Sequence, residues 1–306
     1  MLKYIIRRLI QTIPVVIGVT ILVFSLMHLI PGDPAQIIAG ESAPPKQVEQ
    51  LREKLGLNDP LHIQYFTYMG NILKGDLGQS IRSSRPVLDE IKHRFWITVE
   101  LAIYSTILSV FLGLIAGIVS AVRHYTVSDV TLMIIALFGL SMPNFWLGLM
   151  LIKYFAIDLS LVPPSGWGTW QQTILPVITL GTAGAAIIAR MTRASMLEVI
   201  TQDYIRTARA KGVSERVVIY RHALKNALIP VVTVVGLEFG ALLGGTVITE
   251  SVFAINGMGR LIIESIRARD FPIVQGTVLI LSLLFVLVNL AVDISYRYLN
   301  KRIDLN

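Results

Sequence analysis

The 306-residue sequence contains no cysteine. That absence excludes disulfides, thiolate-bound metals, iron–sulfur clusters and a cysteine nucleophile, and it leaves the redox compartment open. Charge is scarce as well: 15% of residues are Asp, Glu, Lys or Arg, against roughly a quarter in an average soluble domain. The five histidines, His28, His62, His93, His124 and His222, are widely separated and show none of the helical spacing of a zinc site. No Gly-Lys dipeptide occurs. The chain therefore has no P-loop, whose glycine admits backbone N–H groups to the phosphates and whose lysine meets their charge. Any ATP used in its work is hydrolysed by another chain. Nor is there a soluble domain to carry a basic face, so the net charge of +7 does not point to nucleic acid. Lys and Arg gather in loops beside apolar runs, where they are retained on the cytoplasmic side of a membrane.

What is abundant is apolar surface: 54% of residues, with a mean hydropathy of +0.65. Six runs, at residues 9–29, 98–122, 130–157, 173–194, 229–252 and 274–296, approach the ~20 residues needed to cross ~30 Å of hydrocarbon. Pro143, Pro176 and Pro230 predict kinks in the third, fourth and fifth. Lys3, Arg7 and Arg8 precede an apolar stretch longer than a signal-peptide core, and no convincing cleavage site follows, so the first run is read as an uncleaved span. Eight Lys/Arg lie between residues 190 and 225 and none between 158 and 172. With the long segment after the first span discounted, this bias puts both termini in the cytoplasm. The fold class expected is an all-α integral membrane protein of six transmembrane helices. Its parts are an N-terminal tail and first helix (1–30), an extracytoplasmic helical segment (31–96), a core of five further helices (97–298) with a cytoplasmic loop at 195–228, and a cytoplasmic tail (299–306).

The extracytoplasmic segment has a helical pattern. Val48, Leu51 and Leu55 share one face, Asn58-Asp59-Pro60 makes a turn, and a second helix over 61–73 carries Tyr65, Phe66 and Tyr68. Two readings stay open: a lid or docking surface near the external mouth, or interfacial helices that anchor the first span. The cytoplasmic loop reads as a helix, a break and a helix. Thr201 is expected to cap a helix through Lys211, Gly212 to end it in the left-handed conformation, and Ser214 to cap the next, with Glu215 against its dipole. Short side chains at Thr207, Ala208 and Ala210 would let another protein approach closely.

This loop resembles that of ABC-importer permeases, in which a Glu-Ala-Ala-x-x-x-Gly signature forms the coupling helix docked on the ATPase subunit. Aligned on Gly212, the first signature positions fall on Arg206, Thr207 and Ala208, so the glutamate is absent, and Lys225 stands where many relatives have proline. The variant Tyr204-x-Arg206-Thr207-Ala208-Arg209-Ala210-Lys211-Gly212 is similar to that of the peptide/nickel importer branch. The resemblance runs along nearly the whole chain. Arg7-Arg8-Leu9, Pro31-Gly32-Asp33-Pro34, Leu55-Gly56-Leu57-Asn58-Asp59-Pro60-Leu61 and Gly75-Asp76-Leu77-Gly78-Gln79-Ser80 look like the first of the two permeases in dipeptide and oligopeptide importers. Glu250-Ser251-Val252-Phe253, Gly257-Met258-Gly259 and Arg269-Asp270-Phe271-Pro272 are similar again, with Asn256 where the family usually has proline.

The resemblance implies a type I ABC-importer permease fold with the external helical segment after the first span. It also implies a second related permease, two ATPase subunits that bind ATP and Mg, an extracytoplasmic substrate-binding protein, and a bacterial or archaeal plasma membrane. The implied substrate is a short peptide, with nickel chelate or glutathione as alternatives. The implied coupling residues are Tyr204, Arg206, Thr207, Ala208, Ala210, Lys211, Gly212 and Ser214. No catalytic residue, metal or cofactor is expected in the chain itself.

Among the ionisable residues in or near the apolar runs, Glu100, Lys153, Glu238 and Asp293 are singled out. Each costs ~2.5–3.5 kcal/mol in hydrocarbon and so should face protein, water or a partner. Glu100 and Lys153 lie near span ends, where snorkelling reduces the cost. Glu238 and Asp293 are read first as helix-tying hydrogen-bonding groups. Lining the substrate path, or driving a proton-coupled secondary transporter, are their other possible roles. His28 is read as interfacial rather than as a nickel ligand. The small residues Gly236, Gly240, Gly244 and Gly245 permit close helix contact, at a heterodimer interface or along the path.

Overall fold

A computed structural model describes residues 2–29, 33–40, 43–54 and 56–299. In chain order its helices are α1 (Leu2–Leu29), α2 (Pro34–Ala39), α3 (Pro45–Lys54), α4 (Leu61–Leu73), α5 (Val87–Val122), α6 (Val127–Ser141), α7 (Asn144–Leu151), α8 (Trp170–Ile200), α9 (Asp203–Ala210), α10 (Glu215–Val217), α11 (Leu224–Gly245), α12 (Val247–Val252), α13 (Met258–Arg267) and α14 (Phe271–Leu299). Two short stretches, Ile152–Asp158 and Val218–Ala223, are π-helical. No strand occurs among the described residues.

Five helices are long and apolar enough to cross a membrane: Ile6–Ser25, Val87–Val122, Trp170–Ile200, Glu215–Gly244 and Phe271–Val292. The run expected as the third span is instead a pair, Val127–Ser141 and Asn144–Asp158, bent by 100°. The corner has a local cause. Pro143 disfavours the helical region for the residue before it, and Met142 accordingly sits at φ −78°, ψ 126°. The fifth run also differs from expectation. Its helix begins on the hairpin arm at Glu215, and the residues after Thr246 form the separate helix α12. Pro176 and Pro230 lie inside helices that continue through them.

The chain packs as two units, residues 1–96 with 257–284 and residues 97–256 with 285–306. In the first, Val87, Ile91, Met258, Leu261, Ile273 and Leu281 form an apolar core. The aromatic face of α4 packs on α1: Phe24 meets Tyr65 edge-on at 5.5 Å, and the Thr20 and Tyr65 hydroxyls lie 2.8 Å apart. Of the two readings of this segment, the anchoring one has these contacts on its side. Asp33 caps α2 by accepting the Ala35 N–H at 3.1 Å and pairs with Arg52 on α3. The Tyr68 hydroxyl is buried without a hydrogen-bond partner among the described residues, and burial pushes it up to about 12.

In the second unit α5 and α8 approach closely. A Cβ on Gly113 would stand 2.7 Å from Ile188, and one on Gly117 2.5 Å from Thr192. Gly236 and Gly240 play the same part between α11 and α14, where added Cβ atoms would meet Val292 at 2.1 Å and Phe285 at 3.2 Å. Those two glycines therefore serve packing within the chain. A buried ionic cluster ties the α5–α6 turn to α8. Arg193 donates through Nε to Asp129 Oδ1 at 2.7 Å and through Nη2 to Oδ2 at 2.9 Å. Asp129 also accepts the Ser120 hydroxyl and the Tyr125 N–H.

Candidate functional site

The loop between α8 and α11 folds into a short hairpin of the second unit. Thr201 does not cap its first helix. It ends α8, its hydroxyl donating to the Glu198 carbonyl at 2.8 Å, and the N-cap position belongs to Gln202, at φ −70°, ψ 149°. The reason is geometric: the turn between α8 and α9 takes one residue more than the pattern of side chains suggested. Helix α9 ends as expected at Gly212, φ +77°. The Val213 N–H donates to the Ala208 carbonyl at 3.2 Å and the Gly212 N–H to the Arg209 carbonyl at 3.0 Å. These are the paired bonds of a Schellman motif. Val213 and Ala208 pack against the same core beneath it.

One side chain pins the hairpin. Ile205, fully buried, belongs to one apolar cluster with Ala121 at the end of α5, Met196 near the end of α8, and Val218, Ile219 and Ala223 of the π-helical turn that leads into α11. The rest of α9 points outward. Tyr204, Arg206, Thr207, Ala210, Lys211, Gly212 and Ser214 are exposed, whereas Ala208 is half-buried. Thr207 and Ala210 thus offer a small-residue face one turn apart, but Ala208 belongs to the inner face. Ser214 occupies the N-cap position of the second arm without a side-chain cap bond; its carbonyl accepts the N–H groups of Val217 and Val218 at 2.9 and 3.0 Å.

Two polar bridges brace the hairpin. Arg209 grips Glu215 with both ends of its guanidinium, Nε to Oε2 at 3.0 Å and Nη2 to Oε1 at 2.6 Å. The hydrogen bond to Glu215 raises Arg209 above its ordinary value, so it is a cation at any working pH. Asn226 donates to the Tyr204 hydroxyl at 2.7 Å, linking α9 to α11. Glu215 lies in the first turn of α10, where it was expected against the helix dipole, and its carboxylate also closes the break through Arg209.

The intramembrane acids fare differently. Glu238, half-buried on α11, has no hydrogen-bond partner among the described residues, so it supplies no helix-tying bond there. A Cβ on Gly184 of α8 would come within 4.0 Å of its Oε2. The side chains of Asp293 and His28 lie outside the described residues. Glu100 accepts the Trp167 indole N–H at 3.2 Å. Lys153 pairs with Asp158 at 2.7 Å, five residues on, which the wider π-helical turn brings to the same side. Glu250, named from the sequence only as part of the family-like stretch to Phe253 and not among the acids of the apolar runs, is fully buried and accepts the hydroxyls of Thr98 and Thr246 at 2.7 and 3.0 Å. Its place inside the fifth apolar run was the available signal. No group of three or more metal-ligating side chains occurs among the described residues.

A helical chain with five helices long and apolar enough to cross a membrane, and a basic surface hairpin between two of them, has the makeup of a multi-pass membrane protein. Specifically, the chain belongs to the binding-protein-dependent transport system inner membrane components, whose family model matches residues 109–305, while the N-terminal family of the same membrane components matches residues 1–102. It is 48% identical over 303 residues to the glutathione transport system permease protein GsiC of Escherichia coli strain K12, covering 99% of each chain. It is 47% identical over 331 residues to the dipeptide transport system permease protein DppB of Alkalihalophilus pseudofirmus, again covering 99% of each. Among solved structures it is similar to a chain of the inward-facing MetNI methionine ABC transporter, with a TM-score of 0.58 at 20% identity over 70% of this chain and 97% of that one. The fold is that of an ABC-importer permease.

Proposed function

We propose that this chain is one of two paired permeases in an ATP-driven importer of short peptides, and that the hairpin around Gly212 receives the motion of the ATPase subunits. The observation that carries this is the hairpin itself. Seven of the eight coupling candidates are exposed on a hairpin whose Ile205 shares one apolar cluster with the ends of two long apolar helices, so a force applied at α9 would pass through that cluster to both. In this reading the solute crosses between the two permeases, ATP and Mg bind only to the ATPases, and a binding protein delivers solute from outside. The 31–96 segment is extracytoplasmic, the 195–228 loop and both termini are cytoplasmic, and the membrane is a bacterial or archaeal plasma membrane. Rigid movement between two packed arrangements, rather than chemistry in this chain, alternates access.

Relatives of nearly equal identity carry dipeptide and glutathione names, and glutathione is itself a short peptide, so both belong to one solute class. A proton-coupled carrier through Glu238 has less to support it, because that carboxylate bonds to no other titratable group among the described residues. The test is a pull-down of the chain from its native membrane in detergent, followed by ATPase and vesicle-uptake assays with dialanine and glutathione. A second permease and P-loop ATPases should co-purify, and uptake should require ATP. A solitary protein that moves solute on a proton gradient alone would overturn the proposal.

A further inference from the structure

The first unit contains a cleft of about 630 Å³ between the loop at residues 80–83, the start of α5 and the end of α13. Its floor is tightly bonded. Asp270, 3% exposed, accepts the Ser80 hydroxyl and the N–H groups of Ile81 and Arg82 at 3.2 and 3.4 Å. Ser80 Oγ in turn accepts the N–H groups of Arg82 and Ser83 at 3.2 and 3.0 Å. The acids of the walls are committed, Glu90 to Arg94 and Glu264 to Arg260, each at 2.7 Å. Arg82 and Arg267 also line the cleft, and neither guanidinium has a partner among the described residues. Two cations therefore line one recess, Arg82 from the 80–83 loop and Arg267 from the last residue of α13, with no guanidinium partner among the described residues.

Backbone strain marks both loops. Ser84 and Arg269 are non-glycine residues in the left-handed region, at φ 55° and 54°. At Arg269 the strain closes a Schellman turn, with the Asp270 N–H on the Ser265 carbonyl at 2.9 Å and the Arg269 N–H on the Ile266 carbonyl at 3.1 Å. Glycine would occupy that position without strain. Outliers of this kind gather at binding sites, where the surrounding structure over-determines them. Here they fix the directions of the two segments that bear Arg82 and Arg267.

We propose that this cleft is a carboxylate-binding subsite, in which Arg82 and Arg267 hold the carboxylate of a small solute, specifically the free C-terminus of a short peptide. The identity of the solute rests on the importer reading above; the chemistry of the site does not. Guanidinium forks match a carboxylate with two parallel hydrogen bonds. The volume falls in the range of small-molecule sites, roughly 300–1,000 Å³. A recess of this size admits a free solute, and the Ser83 hydroxyl at its edge donates to Glu90 Oε1 at 3.3 Å, which leaves the two guanidiniums as the donors.

The full-length chain in lipid nanodiscs would be titrated with dialanine carrying 13C at its carboxylate, and the broadening of that resonance followed. Saturable broadening should be displaced by acetate and not by alaninamide. It should weaken about tenfold in the R82Q/R267Q double variant, the scale of losing charge-assisted hydrogen bonds, with R82K/R267K in between. Because both arginines are exposed and unpartnered, thermal unfolding should not change, which separates loss of the site from loss of the fold. Absence of broadening in the wild type, equal broadening in R82Q/R267Q, or displacement by alaninamide as well as acetate would each overturn the proposal; the last two would leave Arg82 and Arg267 as surface charges for another protein. Binding that survives while the assembled importer moves no peptide would instead count against the importer reading and leave the subsite standing.

Discussion

Gly212 allows the hairpin to be tested by backbone conformation alone. Its φ is +77°, and no atom lies within 4 Å of the position a Cβ would take. A substitution there meets no steric obstacle, so its whole effect comes from placing an L-residue in the left-handed region, at about 1–2 kcal/mol. Reduced freedom in the unfolded chain offsets part of this, by about 0.4–1 kcal/mol for alanine, without changing the sign. Gly212→Ala should therefore weaken the closed turn by about 1 kcal/mol, close to a fivefold shift in its equilibrium. Gly212→Val should shift it further because β-branched residues tolerate this region least, and Gly212→Asn should be nearly silent. Hydrogen exchange reads the turn directly: the amides of residues 212 and 213, which bond to the Arg209 and Ala208 carbonyls, should lose protection in the order Asn, Ala, Val. Solute-stimulated ATPase activity and uptake in the reconstituted importer should separate in the same order. Normal coupling in Gly212→Val with undiminished protection at Val213 would refute the assignment of this turn. Loss of coupling with protection intact would move the cause from the backbone to the added side chain.

The ionic cluster and the orphan hydroxyl give predictions of opposite sign. Arg193→Ala leaves the buried Asp129 carboxylate without its bidentate partner and should cost about 3–5 kcal/mol. Adding Asp129→Asn should recover a large part of that loss, as thermal unfolding in detergent would show. Tyr68→Phe removes a buried hydroxyl that bonds to nothing among the described residues and should stabilise the chain by about 1 kcal/mol. Because Tyr68 is raised to about 12 in the folded chain, the unfolded chain ionises first. The stability held by the neutral phenol is full below about pH 10 and lost as pH rises towards 12. The phenylalanine variant should lack that alkaline component in a melting-temperature series.

The spans were legible because a membrane demands long apolar runs, and nothing else in a sequence looks like residues 98–122. The break at Gly212 was legible for a similar reason, since a basic helix followed by Lys-Gly and a capping-type serine has few alternatives. The failures share a cause. Whether Pro143 kinks a helix or ends it depends on the residue before it, and Met142 took the extended conformation that turns a kink into a 100° corner. Thr201 and Gln202 differ by one position, a distinction set by how α8 ends rather than by which side chain can cap. Ala208 looked like surface because it is small; its burial follows from being three residues after Ile205 on the inner face. The α5–α8 contact was written in the sequence as Gly113-x-x-x-Gly117, but only the partner residues Ile188 and Thr192 reveal which helix it serves.

The second arm of the hairpin does not stop at the membrane surface. From Glu215 it runs into the fifth span and continues to Gly244 as a 30-residue helix. At 1.5 Å per residue that is a lever of ~45 Å, and each degree of tilt at one end moves the other by about 0.8 Å. A swing of ten degrees, small for a pivoting helix, would sweep the far end through roughly 8 Å, wider than a single helical turn. If the hairpin couples as proposed, it has no need to travel far itself; the leverage lies in the length of helix behind it.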